Sequence, residues 1–146
     1  MEIQGNRVMI DTDVLIELVK RKLLSKFVAI YDVYISFVTL YEYIRGSFYK
    51  GFKPSKYKEL LEESVIIIWS DNEILEKMAE IWYSLKKKGA LIDERDLIIG
   101  TTAIVKDLPL ITRNKSHFER LRDYGLKLAD ADEYTRKVSQ LSWNFY

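Results

Sequence analysis

Four oxygen-bearing side chains, Asp11, Glu42, Asp96 and Asn114, are spread through the chain, yet each falls where a strand gives way to a helix or a turn. Asp11 directly follows the apolar run Val8-Met9-Ile10 and precedes Thr12-Asp13 and a second apolar segment, Val14-Leu15-Ile16. A carboxylate at the carboxyl end of the first strand of an open α/β sheet stands where such folds bind ligands. Asn114 lies just past a strand ending at Thr112, while Glu42 and Asp96 are expected in the first turns of helices that follow sheet-proximal segments. In a parallel sheet all four positions meet at the carboxyl edge. Three carboxylates gathered there repel one another and lose hydration unless a cation neutralises them. Magnesium or manganese suits such an all-oxygen shell.

Each residue also has a purely local explanation. Glu42 follows Thr39 at capping-box spacing, Asp13 and Asp93 are placed to cap helices, and Asn114 has ordinary turn chemistry. Asp96 is harder to explain locally, because Leu97-Ile98-Ile99 beside it leave little open water and a carboxylate there needs a partner. Gly100, one turn further along the same face, is expected to leave open space beside that carboxylate. Thr12, Thr39 and Thr112 are placed either to orient these acids or to serve as caps and turn residues. Arg45 lies one turn from Glu42, and Arg113 and Lys115 flank Asn114, where each meets either substrate phosphate or solvent.

The elements that must hold these residues are read from periodicity. β-branched apolar runs alternate with helical patterns, which predicts βαβ units and a parallel sheet. Strands are expected at residues 7–10, 33–35, 65–68, 108–111 and 126–128. Helices are expected at 13–19, 23–31, 39–49, 56–63, from 70 or 71 to 88, and 93–106, with a short one beginning near Asn114. The 93–106 helix carries apolar residues all round and is expected to be central and buried.

Composition narrows the chemistry. With 146 residues, 48% hydrophobic and 31% charged, the chain has the size and make-up of one globular domain spanning 1–146. It has no cysteine, which excludes disulfides, thiolate metal sites and cysteine nucleophiles. Its one histidine, His117, excludes a histidine pair, so catalysis must run on carboxylates. A net charge of +1 gives no global attraction to nucleic acid and calls for a local basic patch. The run Val65-Ile66-Ile67-Ile68-Trp69 is far shorter than the roughly 20 apolar residues of a membrane span. With no visible secretory signal, a cytoplasmic location is expected.

Taken in order, Val8-Met9-Ile10-Asp11-Thr12-Asp13, Thr39-Leu40-Tyr41-Glu42, Asp96-Leu97-Ile98-Ile99-Gly100 and Leu110-Ile111-Thr112-Arg113-Asn114 resemble the successive motifs of PIN domains, in particular the VapC-like toxin ribonucleases. The resemblance spans nearly the whole chain. It implies a three-layer α/β/α fold with a central parallel sheet of about five strands and a site for one or two divalent cations, Mg2+ or Mn2+, at which RNA is cut. It assigns the metal to Asp11, Glu42 and Asp96, with Asn114 in the fourth, more variable catalytic position. It further implies a cognate antitoxin protein as partner. Gly100 stands where many relatives carry alanine, an exchange expected to be neutral.

Two other readings stay open at this point. Asp11-Thr12-Asp13 resembles the nucleophile and acid pair of a haloacid-dehalogenase-type phosphatase, although Leu15 departs from that motif. A PIN-like module that binds RNA or protein without cutting is the other. Apolar surface from Phe48-Tyr49, Tyr83 and the terminal Trp143-Asn144-Phe145-Tyr146 suits a homodimer, while Trp82 is expected to pack in the core.

Overall fold

The computed structural model describes residues 5–141, so the aromatic terminus 143–146 lies outside the described residues. Five parallel strands, β1 (Arg7–Ile10), β2 (Asp32–Ser36), β3 (Ile66–Ile68), β4 (Leu110–Thr112) and β5 (Leu128–Asp130), form one sheet in the order β3-β2-β1-β4-β5. The chain therefore builds outward from β1 to β3, then returns to the other side of β1 for β4 and β5. The crevice outside the carboxyl ends of β1 and β4 is the switch point where open α/β sheets bind ligands.

Strand alternation splits the core into two layers. Val8, Ile10, Val33, Ile35 and Ile111 face one side with α1 (Thr12–Lys20), α2 (Leu24–Ile30), α4 (Pro54–Ser64) and α8 (Ala131–Ser139). Met9, Ile68, Leu110 and Leu128 face the other with α5 (Asn72–Lys87), α6 (Glu94–Val105), α7 (Lys115–Phe118) and the 3-10 helix Glu119–Tyr124. The remaining helix, α3 (Phe37–Tyr49), contributes Leu40 to the first layer and Val38 to the second, and so sits across the carboxyl edge. The three-layer arrangement and the five parallel strands agree with the expected fold.

Local chemistry differs from expectation at several helix ends that bear on the site. α1 is capped by Asp11, whose carboxylate accepts from the Thr12 amide, rather than by Asp13. α3 begins at Phe37 with Ser36 as its cap, so Thr39 and Glu42 form no capping box and Glu42 lies in the second turn. Asp93 occupies the cap position of α6 but its side chain makes no capping bond. Asp71 caps α5 through the Ile74 amide, and Gly89, at φ 64°, closes it. α8 was not expected at all. It buries Ala131, Tyr134, Thr135 and Val138, an i, i+3, i+4, i+7 stripe, behind an Asp130 cap.

α6 is buried over most of its length, as its all-round apolar pattern requires. Gly100, however, opens no space beside Asp96. A Cβ there would lie 2.2 Å from Leu121 Cδ1 and 3.6 Å from Phe118 Cδ1, so the absent side chain is what lets the 3-10 helix pack onto α6. Alanine at this position is therefore expected to require a shift of Leu121. Overpacking costs about 1–3 kcal/mol against a helix-propensity gain of about 1 kcal/mol. G100A should therefore lose roughly 1 kcal/mol in chemical denaturation. In an L121V background, which lacks the clashing carbon, the same exchange should become stabilising.

Candidate active site

Asp11 sits at the carboxyl end of β1, in extended backbone that ends the strand and opens α1. Its Oδ1 accepts from the Thr12 amide at 2.8 Å, and Oδ2 accepts from the Thr112 hydroxyl at 3.0 Å, which links the ends of β1 and β4. Thr112 Oγ1 in turn accepts the Asn114 amide at 3.0 Å. Glu42 reaches the same point from α3, where its Oε1 lies 2.6 Å from Thr12 Oγ1. Asp96 arrives from the first turn of α6. The three side chains are 1%, 17% and 8% exposed, respectively.

At the centre of this trio stands Arg95, which the sequence reading did not single out. Its Nη2 donates to Asp11 Oδ1 at 2.9 Å and to Thr12 Oγ1 at 3.1 Å. Its Nη1 donates to Asp96 Oδ1 at 2.9 Å, and its Nε to both Glu42 oxygens at 2.9 and 3.0 Å. Every nitrogen of the guanidinium is engaged. A signal for it was present: a cation in the first turn of a helix faces the positive end of the dipole and needs acidic partners.

The other expected site residues fall at the margin. Asn114 Nδ2 donates to Asp13 Oδ2 at 3.3 Å, making an amide–carboxylate pair beside Asp11 rather than joining the three acids on Arg95. Arg45 is exposed, 4.0 Å from Glu42 and stacked over the Tyr41 ring. Thr39 Oγ1 lies 3.0 Å from Thr12 Oγ1. The Arg113 side chain is tied to Glu17 and to Asp132 at 3.0 Å, which draws it toward α1 and α8 instead of the acid cluster. On the far side of Asp96, a cavity is walled by Ile92, Asp93, Ser116, His117 and Arg120, with His117 Nδ1 3.6 Å from Asp96 Oδ2.

The donor set suits a hard cation. Carboxylate and hydroxyl oxygens converge, no thiolate is present, and three acids have gathered around one positive group. As they stand, no three acidic or histidine side chains among the described residues are close enough to hold an ion jointly.

A family model described as PIN domain matches residues 8–124. The chain belongs to the PIN domain family. Among relatives of this PIN domain, ribonuclease VapC1 of Methanocaldococcus jannaschii is 38% identical over 130 residues, covering 89% of this chain and 92% of that protein. The solved structure of VapBC-1 from nontypeable Haemophilus influenzae matches with a TM-score of 0.69 at 29% identity, over 86% of this chain and 98% of that one. A toxin-antitoxin complex from Klebsiella pneumoniae matches with a TM-score of 0.59 at 25% identity, over 76% of this chain and 89% of that one.

The electrostatics of the PIN domain's acid cluster are uneven, because one guanidinium serves three carboxylates. Burial pushes Glu42 up, but bonds from Arg95 and Thr12 outweigh it and hold the group below its ordinary value. For Asp96, burial dominates the single Arg95 bond and the carboxyl is raised. Asp13 is likewise raised, by burial and then by the neighbouring Asp11 charge. Burial works against the charge of Arg95, but Glu42 and Asp11 more than reverse this and its pKa rises. A carboxylate with a lowered folded pKa contributes stability above its unfolded pKa, and that contribution is lost as pH falls through the folded value. In metal-free protein, E42Q should therefore melt below wild type at neutral pH. The gap should close as the pH is lowered through the folded value.

Proposed function

We propose that this PIN domain is a divalent-metal-dependent endoribonuclease and the toxin of a toxin–antitoxin pair, using Mg2+ or Mn2+. The observation that carries this reading is the convergence of Asp11, Glu42 and Asp96 on one positive group at the switch point of the sheet. The relatives named above, a ribonuclease and members of VapBC and toxin-antitoxin complexes, support the choice of reaction and of partner. Asp11, Glu42 and Asp96 would hold the metal, and Asn114 with Asp13 would form the polar flank of the site. When bound, such a cation supplies charge stabilisation at a phosphoryl oxygen and lowers the pKa of a coordinated water.

The chain's own residues supply the rest. Thr12 and Thr112 fix the Glu42 and Asp11 carboxylates through hydroxyl donors, so these acids do not have to be ordered when substrate arrives. Arg45 on one rim, with Arg120 on the other, gives the local positive charge that a polyanion needs beside an acidic centre. An apolar groove lined by Ile16, Val19, Tyr43, Gly46 and Tyr57 ends at Glu42. An antitoxin segment laid along it would reach the acid cluster. Phe48, Tyr49 and Tyr83 are exposed, in keeping with a homodimer. Among the described residues no helix is long and apolar enough to cross a membrane, in keeping with a cytoplasmic site of action.

The test is cleavage of a mixed RNA substrate in magnesium or manganese, repeated with chelator and with D96N. Cleavage should require the metal and vanish in D96N while the circular dichroism spectrum is retained. Undiminished cutting by D96N would remove the acid site from the reaction.

A further inference from the structure

Resting on the reading of the acid cluster as a metal site, we propose that Arg95 is a built-in occupant of that site. Its guanidinium holds Asp11, Glu42 and Asp96 when no metal is present and must leave before a divalent cation enters. Arg95 then competes with the metal for the same carboxylates and sets the metal concentration at which the protein becomes active.

Three features lead to this. First, each nitrogen of the guanidinium is engaged, 2.9 or 3.0 Å from a carboxylate oxygen of a different acid. A residue reaching in merely to buttress one ligand would bind one acid; this one binds three acids from three helices or helix ends at once. Second, the guanidinium lies between the three acids, 2.9 or 3.0 Å from an oxygen of each, so a cation bound to those same oxygens at about 2.0–2.1 Å would overlap it. The arginine-filled and metal-filled arrangements therefore exclude one another. Third, the way out is open. The Arg95 side chain is 31% exposed and springs from the first turn of α6, where the helix dipole disfavours a cation. The acids and the Thr12 hydroxyl retain it, and rotation of its flexible stem toward solvent leaves α6 intact.

The competition has a definite sign. When a binding-competent state is only partly populated, apparent affinity falls by that fraction, so an arginine seated in about 90–99% of molecules weakens metal binding by about 10–100-fold. If Arg95 instead positioned the ligands for the ion, its removal would weaken binding. R95Q keeps a polar head on a shorter stem and carries no charge. In calorimetric titration with Mn2+ alone, it should bind at least about tenfold more tightly than wild type, whereas D11N should lose binding. In chelator R95Q should melt below wild type, since three carboxylates are left facing one another, and saturating Mn2+ should close that gap.

Equal or weaker Mn2+ binding by R95Q, with D11N still deficient, overturns the role of Arg95 and leaves the metal site standing. Absence of Mn2+ binding in wild type and R95Q alike overturns both together. Should R95Q fail to fold without metal, wild-type protein decides the matter by NMR. The Arg95 Nε–H resonance should be protected from solvent exchange in chelator and shift and lose protection as Mg2+ saturates; an unchanged resonance overturns the proposal.

Discussion

Replacing Asp11 by asparagine should reduce RNA cleavage by far more than the roughly 10–100-fold typical of losing a group behind a metal ligand, while leaving a folded protein. The expectation comes from what the carboxylate touches. Asp11 is 1% exposed and spends one oxygen on the Thr12 amide and Arg95 and the other on Thr112. An asparagine carbonyl oxygen keeps the amide bond that caps α1, and its amide nitrogen meets a hydroxyl that can turn to accept. Local structure is thereby conserved. What the exchange removes is a full negative charge at the point where three acids and two strand ends meet, and no neighbour can replace it: Asp13 is committed to Asn114 and the Val14 amide. Cleavage rates in magnesium and manganese, with melting curves in chelator, check both halves. Retention of activity within about tenfold of wild type would place the chemistry elsewhere.

How far the site was legible depends on whether a residue's partners lay nearby in sequence or across the fold. Asp11 and Asp96 could be read because each interrupts an apolar run, and a carboxylate in such company needs compensation whatever the topology. Glu42 was picked out although its helix start was misplaced, since Ser36 rather than Thr39 accepts the Val38 amide, and the capping-box explanation fell with that shift. Arg95 and Arg113 went wrong in opposite directions for one reason. Both are cations beside an expected site residue, and only the paths of α1, α3 and α8 decide that Arg95 turns inward to three acids while Arg113 turns outward to Glu17 and Asp132. The Gly100 expectation failed because the space it leaves is filled by Leu121, which sequence distance conceals. α8 is a different case, for its Ala131, Tyr134, Thr135 and Val138 stripe was visible and was passed over in a polar segment.

The hydroxyl of Thr12 should prove important to cleavage, though less so than an acid. Thr12 Oγ1 lies 2.6 Å from Glu42 Oε1, 3.0 Å from Thr39 Oγ1 and 3.1 Å from Arg95 Nη2, yet it has one proton to give. The short contact to a carboxylate competes with Thr39 for that proton, while Arg95 donates to Thr12. Once Arg95 has withdrawn, Thr12 is the neutral group still fixing Glu42, and T12V should lower kcat/KM by about 10–100-fold. The deficit should widen at sub-saturating magnesium. T12V also strands the buried Thr39 hydroxyl, at a cost of about 1–3 kcal/mol, whereas removing both partners in T12V/T39V can be nearly neutral. The double variant therefore separates the two roles. It should regain stability in denaturant titration while its cleavage stays as low as that of T12V. Recovery of cleavage together with stability would reduce Thr12 to a packing residue and leave the orientation of Glu42 to Arg45 and the metal alone.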